Sequence, residues 1–171
     1  AIPVQLQGLW ISVAWAVQGV VLVWLSFIIK MWHLRWLGVG VSIIFIAWLL
    51  SIDLPAAMKV DFRPVVNIYK PGYIIGVATL YTSAYLLRRF KGSLRNGEYT
   101  LFPIFLASAT GLITIAVPVQ VGNEWVSLTW SLEAAVLIGL SFRLGIYQLR
   151  LSAMGVFIVL FIHLVAFDSF L

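Results

Sequence analysis

Six long apolar runs, each bounded by polar or basic breaks, constrain this chain more than any single motif. They cover about Trp10–Ile29, Trp36–Ile52, Gly72–Leu87, Tyr99–Val119, Trp125–Leu144 and Tyr147–Phe167. A hydrocarbon core about 30 Å thick is crossed by roughly 20 apolar residues in an α-helix, so the pattern predicts an all-α, polytopic transmembrane helical bundle of about six helices. Composition agrees: 63% of residues are hydrophobic and 10% are charged, against about 25% charged in ordinary soluble domains. Trp10, Trp32, Trp36, Trp125 and Tyr147 stand at predicted helix ends, where amphipathic rings anchor at the headgroup level.

The net charge of +5 does not point to nucleic acid, because Lys and Arg fall in the breaks rather than along one exposed helix face. They act instead as topogenic signals, since basic residues accumulate on the untranslocated side. With six crossings the breaks at 30–35, 88–98 and 145–150 share one face, which carries Lys30, Arg35, Arg88, Arg89, Lys91, Arg95, Arg143 and Arg150, eight of the eleven basic residues. That face is expected to be cytoplasmic. The opposite face holds the longest polar stretch, Asp53–Pro71, whose prolines Pro55, Pro64 and Pro71 mark it as a loop outside the hydrocarbon. Within it Arg63, Asn67 and Lys70 are candidates for lipid headgroups or a soluble partner, a plain connector being the simpler reading.

Sliding the chain against itself at an offset of 115 aligns AIPVQLQGLWISVAWAVQGVVLVWLSF with AVPVQVGNEWVSLTWSLEAAVLIGLSF and continues to Asp53 on Asp168. Nineteen of 53 aligned positions are identical, including Pro3/Pro118, Trp10/Trp125, Ser12/Ser127, Trp15/Trp130 and Arg35/Arg150. Apolar bias alone does not pair prolines, tryptophans and arginines. The period holds four spans, so the copies keep the same orientation rather than the inverted one common in transporters. The expected organisation is a helix tail over 1–8, a four-helix unit over 9–115 and the first two helices of a second unit over 116–171. Both ends would then lie outside, as expected of a segment of a longer tandem array whose further helices pack against this one.

The stretch TWSLEAAVLIGLSF after VPVQV, the segment RPVVNIYKPGYIIGVATLYTSAYLLRRF and the recurrence of such elements resemble the large bacterial membrane proteins catalogued as domain of unknown function twenty-three thirty-nine. The resemblance covers nearly the whole chain and implies a many-helix inner-membrane protein with no established activity. The first copy departs from it in having Gln18 where the second has Glu133, which argues against a role needing a carboxylate in every repeat.

Glu133 is the one acid inside an apolar run. A bare charge there costs at least about 2.5–3.5 kcal/mol on insertion scales, so it is expected to be protonated, paired or facing a wet cavity. His163 falls at a similar depth on the neighbouring helix, so Glu133, His163 and Gln18 form a candidate intramembrane polar site, with a direct Glu133–His163 contact as its sharpest form. A neutral Glu bonding between helices and a satisfied lone histidine are the simpler readings. Trp15 and Trp130 fall beside Gln18 and Glu133 by helical spacing and are placed to cover them. Gly72, Gly76, Thr79 and Ser83 make a small-residue stripe suited to close helix packing, with Ala107, Gly111 and Thr114 as a possible matching surface.

There is no cysteine, and two histidines alone make no multi-histidine metal centre. Neither a phosphate-cradling loop nor HExxH, GxSxG or paired acids at catalytic spacing occurs. No catalytic residue, metal or cofactor is therefore expected. The leading reading is a non-enzymatic helical scaffold or envelope module embedded in the lipid bilayer; a transporter or channel using the Glu/His site is the alternative, and a membrane enzyme acting on lipid-linked substrate the third.

Overall fold

The computed structural model describes residues 2–53, 55, 70–120 and 123–167. Among these the protein is all-α, with six helices and no strand: α1 Ile2–Ile29, α2 Trp32–Trp48, α3 Lys70–Arg89, α4 Leu101–Gln120, α5 Asn123–Leu144 and α6 Tyr147–Phe167. A π turn over Leu49–Asp53 extends α2, and two short 3-10 turns, Lys91–Ser93 and Glu98–Thr100, lie between α3 and α4. Among the described residues five segments are long and apolar enough to cross a membrane: Trp10–Ile29, Trp32–Ile52, Glu98–Pro118, Trp125–Leu144 and Tyr147–Val165. The expected third crossing does not reach that apolarity. Its helix, α3, devotes twenty residues to three tyrosines, two threonines, a serine and two terminal arginines as well as apolar side chains.

Several boundaries move. Helix α1 is unbroken from Ile2, so residues 2–8 share a helix with the first span. The basic break at 30–35 contracts to Lys30 and Met31, and Arg35 lies inside α2 and is buried. Arg150 likewise lies inside α6. Lys70 and Pro71 open α3 rather than ending a loop, a position where proline's missing N–H costs nothing. Arg63 and Asn67 lie outside the described residues, as does the side chain of Lys70.

The chain divides into two compact units, Ala1–Ala109 and Thr110–Leu171. In the first, α1 and α2 form a tight antiparallel hairpin whose two-residue turn holds Lys30 at φ 59°. Gly19 and Gly38 let the helices approach closely: a Cβ on Gly38 would stand 2.8 Å from Val23 Cγ2 and 3.1 Å from the Gly19 carbonyl oxygen. Helix α3 packs along α1, and Gly76 faces the Phe45 ring of α2, leaving no room for a Cβ. Val23, Phe45, Leu49, Leu80, Leu87 and Leu101 are the buried core.

In the second unit α5 and α6 form the matching hairpin. Gly145 takes φ 64° just past α5, and the Ile146 N–H donates back to the Ser141 carbonyl at 3.2 Å. This is the Schellman closure, in which a left-handed residue ends a helix without leaving its carbonyls unpaired. Ala134 and Ala153, the counterparts of Gly19 and Gly38, are fully buried. Leu128, Leu132, Phe161 and Ile162 here, like Ile43 and Ile44 in the first unit, point outward and are exposed. Contiguous apolar surface of this kind suits a hydrocarbon solvent, in which the helices satisfy every backbone polar group internally.

Candidate functional site

Polar chemistry concentrates in two places: a buried ion pair in the first unit and a hydroxyl–carboxyl–indole cluster in the second.

The ion pair joins Arg35 to Glu98, with side chains only 4% and 5% exposed. Arg35 sits one turn into α2. Its Nε donates to Ser26 Oγ at 3.3 Å, and its Nη1 donates to the Ser93 carbonyl at 3.2 Å and to Glu98 Oε2. The guanidinium lies 4.6 Å from the centroid of the Phe27 ring, a cation–π contact strengthened by desolvation. Phe27 in turn stacks on Phe90, with centroids 4.9 Å apart. Gly97 at φ 98° turns the chain so that Glu98 enters the cluster, and Glu98 Oε2 also accepts the Arg95 N–H at 2.8 Å. Arg95 lies over Trp32, 5.4 Å from the ring centroid. One carboxylate and one guanidinium thus tie together α1, α2 and the turn after α3. Glu98 Oε1 is left buried without a hydrogen-bond partner, the cost of placing a charge pair in an apolar setting.

In the second unit Glu133 of α5 reaches α4. The Thr114 hydroxyl lies 3.0 Å from Glu133 Oε1 and donates to the Thr110 carbonyl at 3.1 Å. Glu133 Oε2 is buried with no hydrogen-bond partner. The Trp130 indole N–H donates to the Thr114 backbone carbonyl at 2.9 Å. That bond has a local cause. Pro118 stands four residues after Thr114 inside α4, and because proline has no N–H, the Thr114 carbonyl loses its intrahelical donor; Trp130 supplies the replacement.

Of the expected polar residues, Glu133 and His163 have separate hydroxyl partners. His163 Nδ1 is 3.3 Å from Ser127 Oγ, and its ring meets the Trp130 ring edge-on with centroids 5.3 Å apart. Trp130 lies between Ser127 and Glu133 on α5, one face of its role turned to histidine and the other to threonine. Gln18 is exposed on α1. In the small-residue stripe Gly72, Gly76 and Ser83 are buried, but the hydroxyls bond within their own helix: Thr79 Oγ1 donates to the Gly76 carbonyl and Ser83 Oγ to the Thr79 carbonyl, each at 2.9 Å. Close packing centres on Gly76 against Phe45, while a Cβ on Gly111 would meet nothing within 4 Å.

The two hairpins carry the same contacts at positions 115 apart. The left-handed turn residue is Lys30 in one and Gly145 in the other. Arg35 holds Ser26 and Phe27; Arg150 Nε donates to Ser141 Oγ at 2.9 Å and its guanidinium lies 4.4 Å from the Phe142 centroid. Trp15 meets Trp48 edge-on at 5.4 Å, as Trp130 meets His163. No local sequence pattern links Arg35 to Glu98; the signal for the arginine cradle is the recurrence of Ser, Phe and Arg together as Ser26/Ser141, Phe27/Phe142 and Arg35/Arg150. Comparison with protein-family models, with curated proteins and with solved structures returned no match for this chain.

Proposed function

We propose that this chain is a non-enzymatic scaffold module of a bacterial inner membrane, built as tandem helical repeats that pack against further repeats. The observation that carries the reading is the duplication of the hairpin contacts: turn, arginine cradle and edge-on ring pair recur at one fixed offset. What recurs is packing machinery, whereas the titratable residues of the second copy, Glu133 and His163, are Gln18 and Trp48 in the first. A structural role needs the former in every copy; a repeated reaction would need the latter. The same duplication supports placing the chain with the family of domain of unknown function twenty-three thirty-nine, whose resemblance rests on these elements. The breaks around Lys30, Gly92 and Gly145 face the cytoplasm in this reading, by the weight of basic residues near them.

A second reading, transport, draws on Glu133 Oε2, buried and without a hydrogen-bond partner. Absence of native cysteine makes one experiment serve both. Single cysteines at Gly92, Gly145, Asn67 and Glu133 are probed with a membrane-impermeant maleimide from each side of the membrane. The scaffold reading expects Gly92→Cys and Gly145→Cys to label only from the cytoplasm, Asn67→Cys only from outside, and Glu133→Cys from neither. Labelling of Glu133→Cys by the aqueous reagent supports a transport path and sinks the scaffold reading.

A further inference from the structure

The arginine cradle is built twice but covered once. In the first unit three side chains of the segment after α3 close over it: Phe90 stacks on Phe27, Glu98 pairs with Arg35, and Arg95 lies over Trp32. The equivalent receivers in the second unit are Phe142, Arg150 and Tyr147. Phe142 is 68% exposed and Tyr147 67%, and Arg150 is exposed although Ser141 and Phe142 hold it in the same pose. Among the described residues no carboxylate pairs with Arg150.

We infer that Ser141, Phe142, Tyr147 and Arg150 form a docking site for a helix-to-helix turn that presents an aromatic ring, a basic side chain and a carboxylate at the spacing of Phe90, Arg95 and Glu98. The occupant belongs to a further helix pair, because the chain's own turn of this kind is already engaged with Phe27, Trp32 and Arg35. Preorganisation of the arginine is the physical basis. Ser141 fixes Nε and Phe142 fixes the plane of the guanidinium, so its remaining donors stand ready for a carboxylate at little further entropic cost. A single phosphate headgroup would satisfy the charge but leave both aromatic faces bare. The inference rests on the reading of the hairpins as copies.

The test replaces each arginine by lysine, in native membranes with the full chain, and applies a lipid-soluble carbodiimide, which reaches carboxylates buried among membrane helices and joins a lysine amine to one held within ion-pair distance. Peptide mass spectrometry locates the bond. Arg35→Lys is expected to link to Glu98, and Arg150→Lys to a Glu or Asp that follows an aromatic residue by about the Phe90–Glu98 spacing in a turn before a helix. Absence of the Glu98 link would remove the template and, with it, the copy reading. A Glu98 link with none at position 150, a link from position 150 to Glu98 of a second copy, or an adduct with phospholipid would overturn the docking site alone. Phenylglyoxal footprinting of the unsubstituted protein needs no variant: Arg150 is expected to react about tenfold more slowly than Arg143, the protection that a contact of about 1.4 kcal/mol gives. Equal reactivity of the two arginines overturns the inference.

Discussion

Replacing Glu98 by Gln keeps the shape of the side chain and removes its charge. Arg35 and Glu98 are 4% and 5% exposed, so neither water nor salt screens the pair appreciably, and Glu98→Gln leaves a guanidinium buried with only the neutral partners Ser26, Ser93 and Phe27. Removing one member of a buried ion pair costs about 3–5 kcal/mol. At about 2–4 °C of melting temperature per kcal/mol for a chain of this size, the transition is expected to fall by roughly 6–20 °C. The double variant Arg35→Met with Glu98→Met removes both charges and keeps the volume, and buried pairs exchanged in this way are often neutral or more stable. It is therefore expected to recover more than half of the loss. The measurement is thermal unfolding in lipid nanodiscs followed by intrinsic fluorescence, for which the chain supplies eight tryptophans. If Glu98→Gln melts with the unsubstituted protein, or the double variant melts as low as the single one, the ion pair is not what closes the first unit.

Three further outcomes are checked by the same melting experiment. Trp130→Phe strands the Thr114 carbonyl that Pro118 has already deprived of its backbone donor and is expected to cost about 1–3 kcal/mol; adding Pro118→Ala restores an N–H and should return most of it. Gly76→Ala drives a Cβ into the Phe45 ring and is expected to cost about 1–3 kcal/mol as an overpacked core does, whereas Gly111→Ala, with open space around it, should be neutral or slightly stabilising. Gly145→Ala places a Cβ at φ 64° and should cost about 1–2 kcal/mol, with Lys30→Gly shifting stability the opposite way in the other hairpin.

Helix placement was legible because apolar runs of membrane length announce themselves; α5 and α6 end and begin at Leu144 and Tyr147, as the basic, glycine-marked break suggests. Three things were not. Hydropathy assigns a charged residue to the outside and so reads Arg35 as a topogenic charge, although its acid waits 63 residues downstream and no local pattern connects them. The lower apolarity of α3 was the second: its length matches its neighbours, and only the contact of Arg35 with Glu98 shows that this more polar helix returns the chain to the end where α2 begins. The role of Trp130 depended on a vacancy made by Pro118 on another helix; depth and helical spacing placed the indole beside Glu133 but could not reveal which backbone carbonyl lacked a donor.

The distance between the halves of the ion pair has a consequence for synthesis. Ser26 and Phe27 lie within nine residues of Arg35, on helices joined by a two-residue corner too short to act as a tether. The serine and the ring that hold the guanidinium are therefore supplied by the hairpin itself, and both are translated before Arg35. Glu98 is translated only after α3, so the one charge that neutralises the arginine is the last of its partners to be made.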